Sequence, residues 1–199
     1  MEIKVEQLIS KQSRIESIKN SHVFTTERLL IRPIEPRDKL LFRQLYTDKK
    51  IMRNIAEPMT IEQADRAFET SLSNTKKVNP TQMSWVITSR DDEQAIGIEG
   101  LVWHGEDRSQ AEIGIMLLRK ANGKLLPEEA MGALMEYAYS KLEIVRINAQ
   151  FSGRNLATER FVKKLGFVFE TPLISTECIG KPSKSFDKHC FAEKNHYKL

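Results

Sequence analysis

The sequence predicts a layered α/β or α+β domain. In its second half, apolar runs of strand length alternate with amphipathic segments of helical period, a pattern that packs helices on a sheet. Its 199 residues make one domain, or one domain with an appendage. Apolar residues make up 40% and charged residues 29%, enough to fill a core and too apolar for wholesale disorder.

The elements follow in order. Residues 1–22 read as an amphipathic helix, with Ile3, Leu8, Ile9, Ile15 and Ile18 among charged positions, and look like an arm added to the main core. TTERLLIRPI gives a strand. Pro36-Arg37-Asp38 then opens a helix to about Tyr46 whose apolar face is Leu40, Leu41 and Leu45. A second helix runs from about Thr60 to Ser73, with Thr60 and Gln63 spaced as a capping box. Three strands follow: MSWVITSR, QAIGIEGLVW and AEIGIMLL, separated by Asp91-Asp92-Glu93 and GEDRSQ. Their alternation is partial. After RKANGK comes a long helix from about Leu126 to Lys141, with Leu126, Ala130, Ala133, Leu134, Tyr137 and Ala138 as its buried stripe. Glu128 and Glu129 lie in its first turn, where the helix dipole favours them. EIVRINAQ is a strand, Asn155–Leu165 a helix, FVFETPL a strand and FDKHCFAE a last one.

Composition excludes several classes of function. Two cysteines, Cys178 and Cys190, are too few for a disulfide scaffold or a Cys-rich zinc site, and the four histidines show no metal-ligand spacing, so no metal is expected. No stretch approaches the roughly 18 apolar residues that span a bilayer. Glu2, Lys4, Glu6 and Lys11 interrupt any signal-peptide core, so a cytoplasmic protein is expected. Lys and Arg number 31 against 27 Asp and Glu, and the whole surplus of four falls in residues 119–166. Such a surplus suits a small polyanion, a nucleic-acid backbone or only a solvated helix face. No nucleic-acid recognition motif accompanies it, so no nucleic-acid partner is expected.

The most informative segment is AEIGIMLL, the turn RKANGK and the helix that follows. A strand feeding a Gly-containing turn into a helix N-terminus leaves backbone N–H groups unpaired, and those donors with the dipole suit a phosphate or diphosphate. Arg119, Lys120 and Lys124 add charge there, and Pro127 in the first turn loses no hydrogen bond. An ordinary loop with solvated lysines has the same spacing.

FSGRNLATERFVKKLGF resembles the Asn-containing helix followed by Leu-Gly-Phe of the GCN5-related N-acetyltransferases, and the order of elements over residues 23–199 is similar to that family's fold. TERLLIRPIEPRD, AEIG and the NxxT…LGF helix look most like the ribosomal-protein-alanine and spermidine acetyltransferase branch. The resemblance implies a mixed, twisted sheet of about six or seven strands flanked by helices, acetyl-CoA as cosubstrate, and direct acetyl transfer to a primary amine on a protein N-terminus, a polyamine or another small molecule. It also leaves room for a homodimer. The alternative is a CoA-binding or protein-interaction module of the same fold without catalysis.

By that resemblance, the diphosphate loop falls on Lys120, Ala121, Asn122, Gly123, Lys124 and Leu125, and the backbone of Ile115, Met116, Leu117 and Leu118 pairs with the pantetheine arm. A backbone N–H near Leu117 would polarise the thioester carbonyl. Leu125 departs from the family's small residue; it serves through its N–H if its side chain turns into the core, and if it instead hinders close approach, Leu125→Gly is expected to tighten CoA binding, offset by a helix cost of about 1 kcal/mol. Asn155 matches the Asn that bonds the pantetheine arm and also suits a helix N-cap. Val162 stands where many relatives place a Tyr that protonates the thiolate; Thr158 or a water could be the substitute, and the plainer reading of Thr158 is a helix-surface hydroxyl. A general base must free the amine of its proton. Glu99 and Glu112, set in apolar strands, are the candidates, with His104 third, and a structural ion pair is the plain alternative for each carboxylate. The early helices and the loops near 52–59 and 78–82 would build the acceptor site.

Overall fold

The computed structural model describes residues 22–121, 123–170 and 188–196. All but the last residue of the arm expected over residues 1–22, with Asn122, Cys178 and most of the segment joining the last two strands, lie outside them. Among the described residues, eight strands form one sheet: β1 (Phe24–Thr25), β2 (Leu29–Pro33), β3 (Gln82–Ser89), β4 (Ala95–Val102), β5 (Gln110–Leu117), β6 (Arg146–Phe151), β7 (Val168–Phe169) and β8 (Lys188–Glu193). Their order is β1-β2-β3-β4-β5-β6-β8-β7, and every neighbouring pair is antiparallel except β5 and β6. The extra strands beyond six or seven are the two-residue pieces β1 and β7.

Among the described residues, five α-helices cover both faces: α1 (Lys39–Thr47), α2 (Lys49–Met52), α3 (Ile61–Thr75), α4 (Leu126–Lys141) and α5 (Leu156–Lys164). α1 and α3 lie on one face, where Leu41, Phe42, Leu45, Phe68 and Leu72 pack on Val86 and Ile98. α4 lies on the other, where Leu134, Met135 and Ala138 share a core with Leu29, Ile31, Trp85 and Leu101. This two-sided cover explains the partial alternation of the middle strands: Met83 through Ile87 are all buried, so both sides of β3 are apolar.

Local chemistry sets the helix ends. Thr60 and Gln63 form the expected capping box, with bonds of 3.2 and 2.8 Å. Residues 36–38 form a separate 3₁₀ turn ahead of α1. The α1 stripe is Leu41, Phe42 and Leu45; Leu40, expected in it, is 64% exposed. Starting the α-helix at Lys39 rather than Pro36 rotates the buried face onto Phe42.

Candidate active site

β5 and β6 are paired only at Gln110↔Arg146, Ala111↔Ile147 and Glu112↔Asn148. Beyond Glu112 the two strands have no ladder, so the sheet opens between them. N–H groups alternate sides along a strand. Leu118 N donates to Ile96 O across β4, so Leu117 and Ile115 present theirs to the open side. Opposite β5, β4 comes very near: a Cβ at Gly97 would stand 2.5 Å from Met116 O, so only glycine fits there.

A cavity of about 300 Å³ occupies the opening and reaches both faces of the sheet. On the α1/α3 side it is bounded by Tyr46, Gln82, Gly100, Glu112, Gly114 and Gln150. On the α4/α5 side it is bounded by Glu99, Ile115, Met131, Thr158, Phe161 and Val162, with Asn155 at its edge. The face of each strand residue follows from register. Glu99 stands opposite Trp85 and Ile115, and Trp85 meets Tyr137 of α4 edge-on. Glu112 stands opposite Val102 and Asn148, on the other face.

The two carboxylates differ sharply. Glu99 is 1% exposed, and neither oxygen has a hydrogen-bond partner among the described residues. Desolvation pushes its pKa well above the usual carboxylate range, because burial disfavours the charged form. The apolar surroundings seen in the sequence thus favour its protonated form. An unpaired buried carboxyl is costly. Glu112 is half-buried; its Oε2 accepts from Gln150 Nε2 at 2.8 Å and lies 3.4 Å from Nε2 of the exposed His104. Tyr46 holds its proton too, its pKa raised by burial.

Asn155 caps α5, its Oδ1 accepting from Thr158 N at 3.3 Å, which leaves the side-chain amide as a donor. Thr158 borders the cavity half-buried, and Val162 is fully buried beside it. The cavity therefore brings together Glu99, Glu112, Met116, Asn155 and Thr158. Leu117, Leu118, Lys120, Ala121, Gly123, Lys124 and Leu125 lie outside it, along the path from the end of β5 through the 3₁₀ turn Arg119–Ala121 to the N-terminus of α4. Lys120 Nζ is held by Gln94 Oε1, and Ala121 is buried. Sequence reasoning missed Tyr46, Gly114 and Gln150. Gln150 was beyond reach because its meeting with Glu112 depends on which strands neighbour each other.

Of the two arrangements open to Leu125, the side chain does not take the core-facing one. It is 57% exposed, and the residue is the α4 N-cap at φ 59°, with no side-chain cap. An L-residue pays about 1–2 kcal/mol for the left-handed region. Leu125→Gly should therefore raise stability by about 1 kcal/mol, the reverse of the helix-interior cost. Urea unfolding measures it; a lower midpoint with unchanged slope would contradict the strain.

Residues 28–168 match the family described as the acetyltransferase (GNAT) domain. An uncharacterized N-acetyltransferase of Bacillus subtilis, YnaD, is 28% identical over 169 residues, covering 84% of this chain and 94% of that one. The p20 N-acetyltransferase of Bacillus licheniformis, also uncharacterized, is 26% identical over 71% of this chain and 80% of its own. Among solved structures, the spermidine N-acetyltransferase of Vibrio cholerae in complex with CoA and spermine superposes with a TM-score of 0.71 at 17% identity, over 86% of this chain and 99% of that one. No described helix is long and apolar enough to cross a membrane.

Proposed function

The chain belongs to the GNAT acetyltransferase family and is an N-acetyltransferase, and we propose that it passes the acetyl group of acetyl-CoA directly to a primary amine across the opening between β5 and β6. The observation that carries this reading is the cavity itself, which joins the two faces of the sheet where β5 and β6 part. Two substrates can then meet from opposite sides with nothing but the strand edge between them.

The donor side fits the cosubstrate. Free N–H groups of Ile115 and Leu117 can bond an amide-bearing arm, the Asn155 side-chain amide adds a donor, and the α4 N-terminus with Lys124 suits a diphosphate. The bound thioester supplies an activated acyl group. Glu112, on the acceptor side, takes the proton from the attacking amine at its carboxylate, with His104 beside it as the way out to solvent. As the N–C bond forms and the C–S bond breaks, Glu99 gives its proton to the departing sulfur, a task otherwise left to Thr158 or water. Neither step needs a covalent enzyme intermediate.

The acceptor is a small or flexible amine. A polyamine heads the panel to test because a protein of this fold has been solved with CoA and spermine. The purified chain is incubated with acetyl-CoA and polyamines, short peptides with free N-termini and simple primary amines. Release of free thiol together with an acetamide product by mass is expected for at least one. Absence of acetylated product across the panel would overturn the reading.

A further inference from the structure

The loop that enters α4 is gripped from a distant part of the chain. Arg28, in the turn between β1 and β2, donates from Nη1 to Lys124 O at 2.9 Å and from Nε to Glu129 Oε2 at 2.6 Å. Its Nη2 lies 2.5 Å from the same carboxylate oxygen. The other oxygen of Glu129 accepts from Thr26 Oγ1 at 2.5 Å and from Arg28 N at 3.1 Å. The turn is itself anchored to the residue that follows β3: Arg90 N donates to Arg28 O at 2.9 Å, and Arg90 Nη1 to Thr26 O at 2.8 Å. A rigid hairpin thus holds one carbonyl and one carboxylate at the mouth of α4.

Resting on the reading of α4 as the diphosphate end of the cosubstrate site, we infer that Arg28 is a positioning residue for that diphosphate, fixing the direction of the loop N–H at Leu125 and withdrawing the charge of Glu129.

Two physical arguments support this. First, the peptide joining Lys124 to Leu125 is planar and trans, so its C=O and N–H point in opposite directions. Holding Lys124 O on the Arg28 side aims Leu125 N–H away from it, while Leu125 O accepts from Glu129 N at 3.1 Å and ties the other side of the residue to α4. The exposed side chain of Leu125 is then incidental, and its N–H is the part that serves.

Second, α4 carries two carboxylates in its first turn, where a bound diphosphate would be repelled by them. Each is tied to a cation from another element: Glu129 to Arg28, and Glu128 to Lys164 of α5 at 3.7 Å. The first contact is much the tighter. Burial disfavours the Glu129 charge, but the Thr26 and Arg28 hydrogen bonds outweigh it and hold the carboxyl below its usual range, so Glu129 is a full negative charge that needs its partner.

The test separates this role from that of an ordinary ion pair. Arg28→Met and Glu129→Gln break the same pair and should cost similar stability. Their effects on CoA should diverge. Calorimetry on Arg28→Met should show CoA binding at least tenfold weaker, with pantetheine, which lacks the diphosphate, bound within twofold of the parent. Glu129→Gln, which keeps Arg28 available to Lys124 O and removes a negative charge, should bind CoA as well as the parent or better. In turnover, Arg28→Met should raise KM for acetyl-CoA and leave kcat within twofold. Arg28→Lys, able to reach one partner but not both, should stay several-fold weak for CoA. Pantetheine binding doubles as the check that each variant is folded. Equal losses of CoA affinity in Arg28→Met and Glu129→Gln, or a loss of pantetheine binding as large as that of CoA in Arg28→Met, would make the pair structural and overturn the inference. So would an Arg28→Met variant that binds CoA like the parent. A parent that binds no CoA would instead overturn the reading of the site, and the inference with it.

Discussion

Glu99→Gln should turn over acetyl-CoA about 10²–10⁴-fold more slowly than the parent while binding CoA with unchanged affinity, the loss typical of a missing general acid or base. Thiolate departs poorly from a water-excluded pocket unless a proton reaches it as the C–S bond breaks. Glu99 is suited to that because its shift comes from desolvation alone. Among the described residues no charged side chain faces it: β3 offers Trp85, β5 Ile115, α4 Met131, and α5 Thr158, Phe161 and Val162.

The pH profile fixes the direction of transfer. A donor works only while protonated, so the parent's rate should fall as pH rises through the raised Glu99 pKa, and Glu99→Gln should lose that alkaline limb. A base at the same position would give the opposite: rate rising through that pKa, and an acid limb lost on substitution. Stability should move in step. The folded protein keeps a proton on Glu99 that the unfolded chain releases around 4.5, so stability is fully present below that pH and declines as pH climbs toward the raised folded value. Urea midpoints against pH should show this decline in the parent and a shallower one in Glu99→Gln. A parent-like rate and profile in the variant would remove Glu99 from the mechanism.

What the sequence disclosed, and what it withheld, divides along range. Signals that act within a few residues were legible: the Thr60–Gln63 capping box, Pro127 in the first turn of α4, and the Asn155 cap before Leu156. So was the series of strands from β3 to β6, because each is a short apolar run with turn residues at its ends. Facing was not legible. Glu99 and Glu112 look alike as carboxylates in apolar strands, yet the register places them on opposite sides of the sheet, one sealed and one beside Gln150 and His104. With both faces of the middle strands covered, the alternation that normally betrays facing was erased. The opening between β5 and β6 was invisible in the residues themselves, since a strand edge without a partner has the same sequence as one with a partner. Arg28 is the extreme case: it lies about a hundred residues from Lys124 and Glu129, and only the fold brings them together.

Gly114→Leu should lower kcat/KM for the amine by about 100-fold, the order of loss caused by displacing a substrate about 1 Å from its productive position, and leave CoA affinity within twofold. Ser84, Gly100 and Gly114 stand opposite one another across β3, β4 and β5, so the cavity floor on the α1/α3 side carries almost no side chains. The two glycines are not equivalent. A Cβ at Gly100 would press to 2.8 Å on Met83 O, so substitution there disturbs the sheet. A Cβ at Gly114 meets nothing within 4 Å, and its φ is not in the left-handed region, so a larger side chain enters the cavity without strain. Replacing a strand glycine should even add up to about 1 kcal/mol of stability by reducing the freedom of the unfolded chain. The N–H groups of Ile115 and Leu117 that suit the cosubstrate arm remain in place, since they belong to the backbone. Gly114→Ala should fall between parent and leucine variant. Steady-state kinetics with the best amine of the panel, set beside CoA calorimetry and urea unfolding, would read all three quantities. A stable Gly114→Leu variant that acetylates the amine at the parent rate would show that the acceptor does not cross the sheet at this point, and would move the meeting of the two substrates elsewhere along β5.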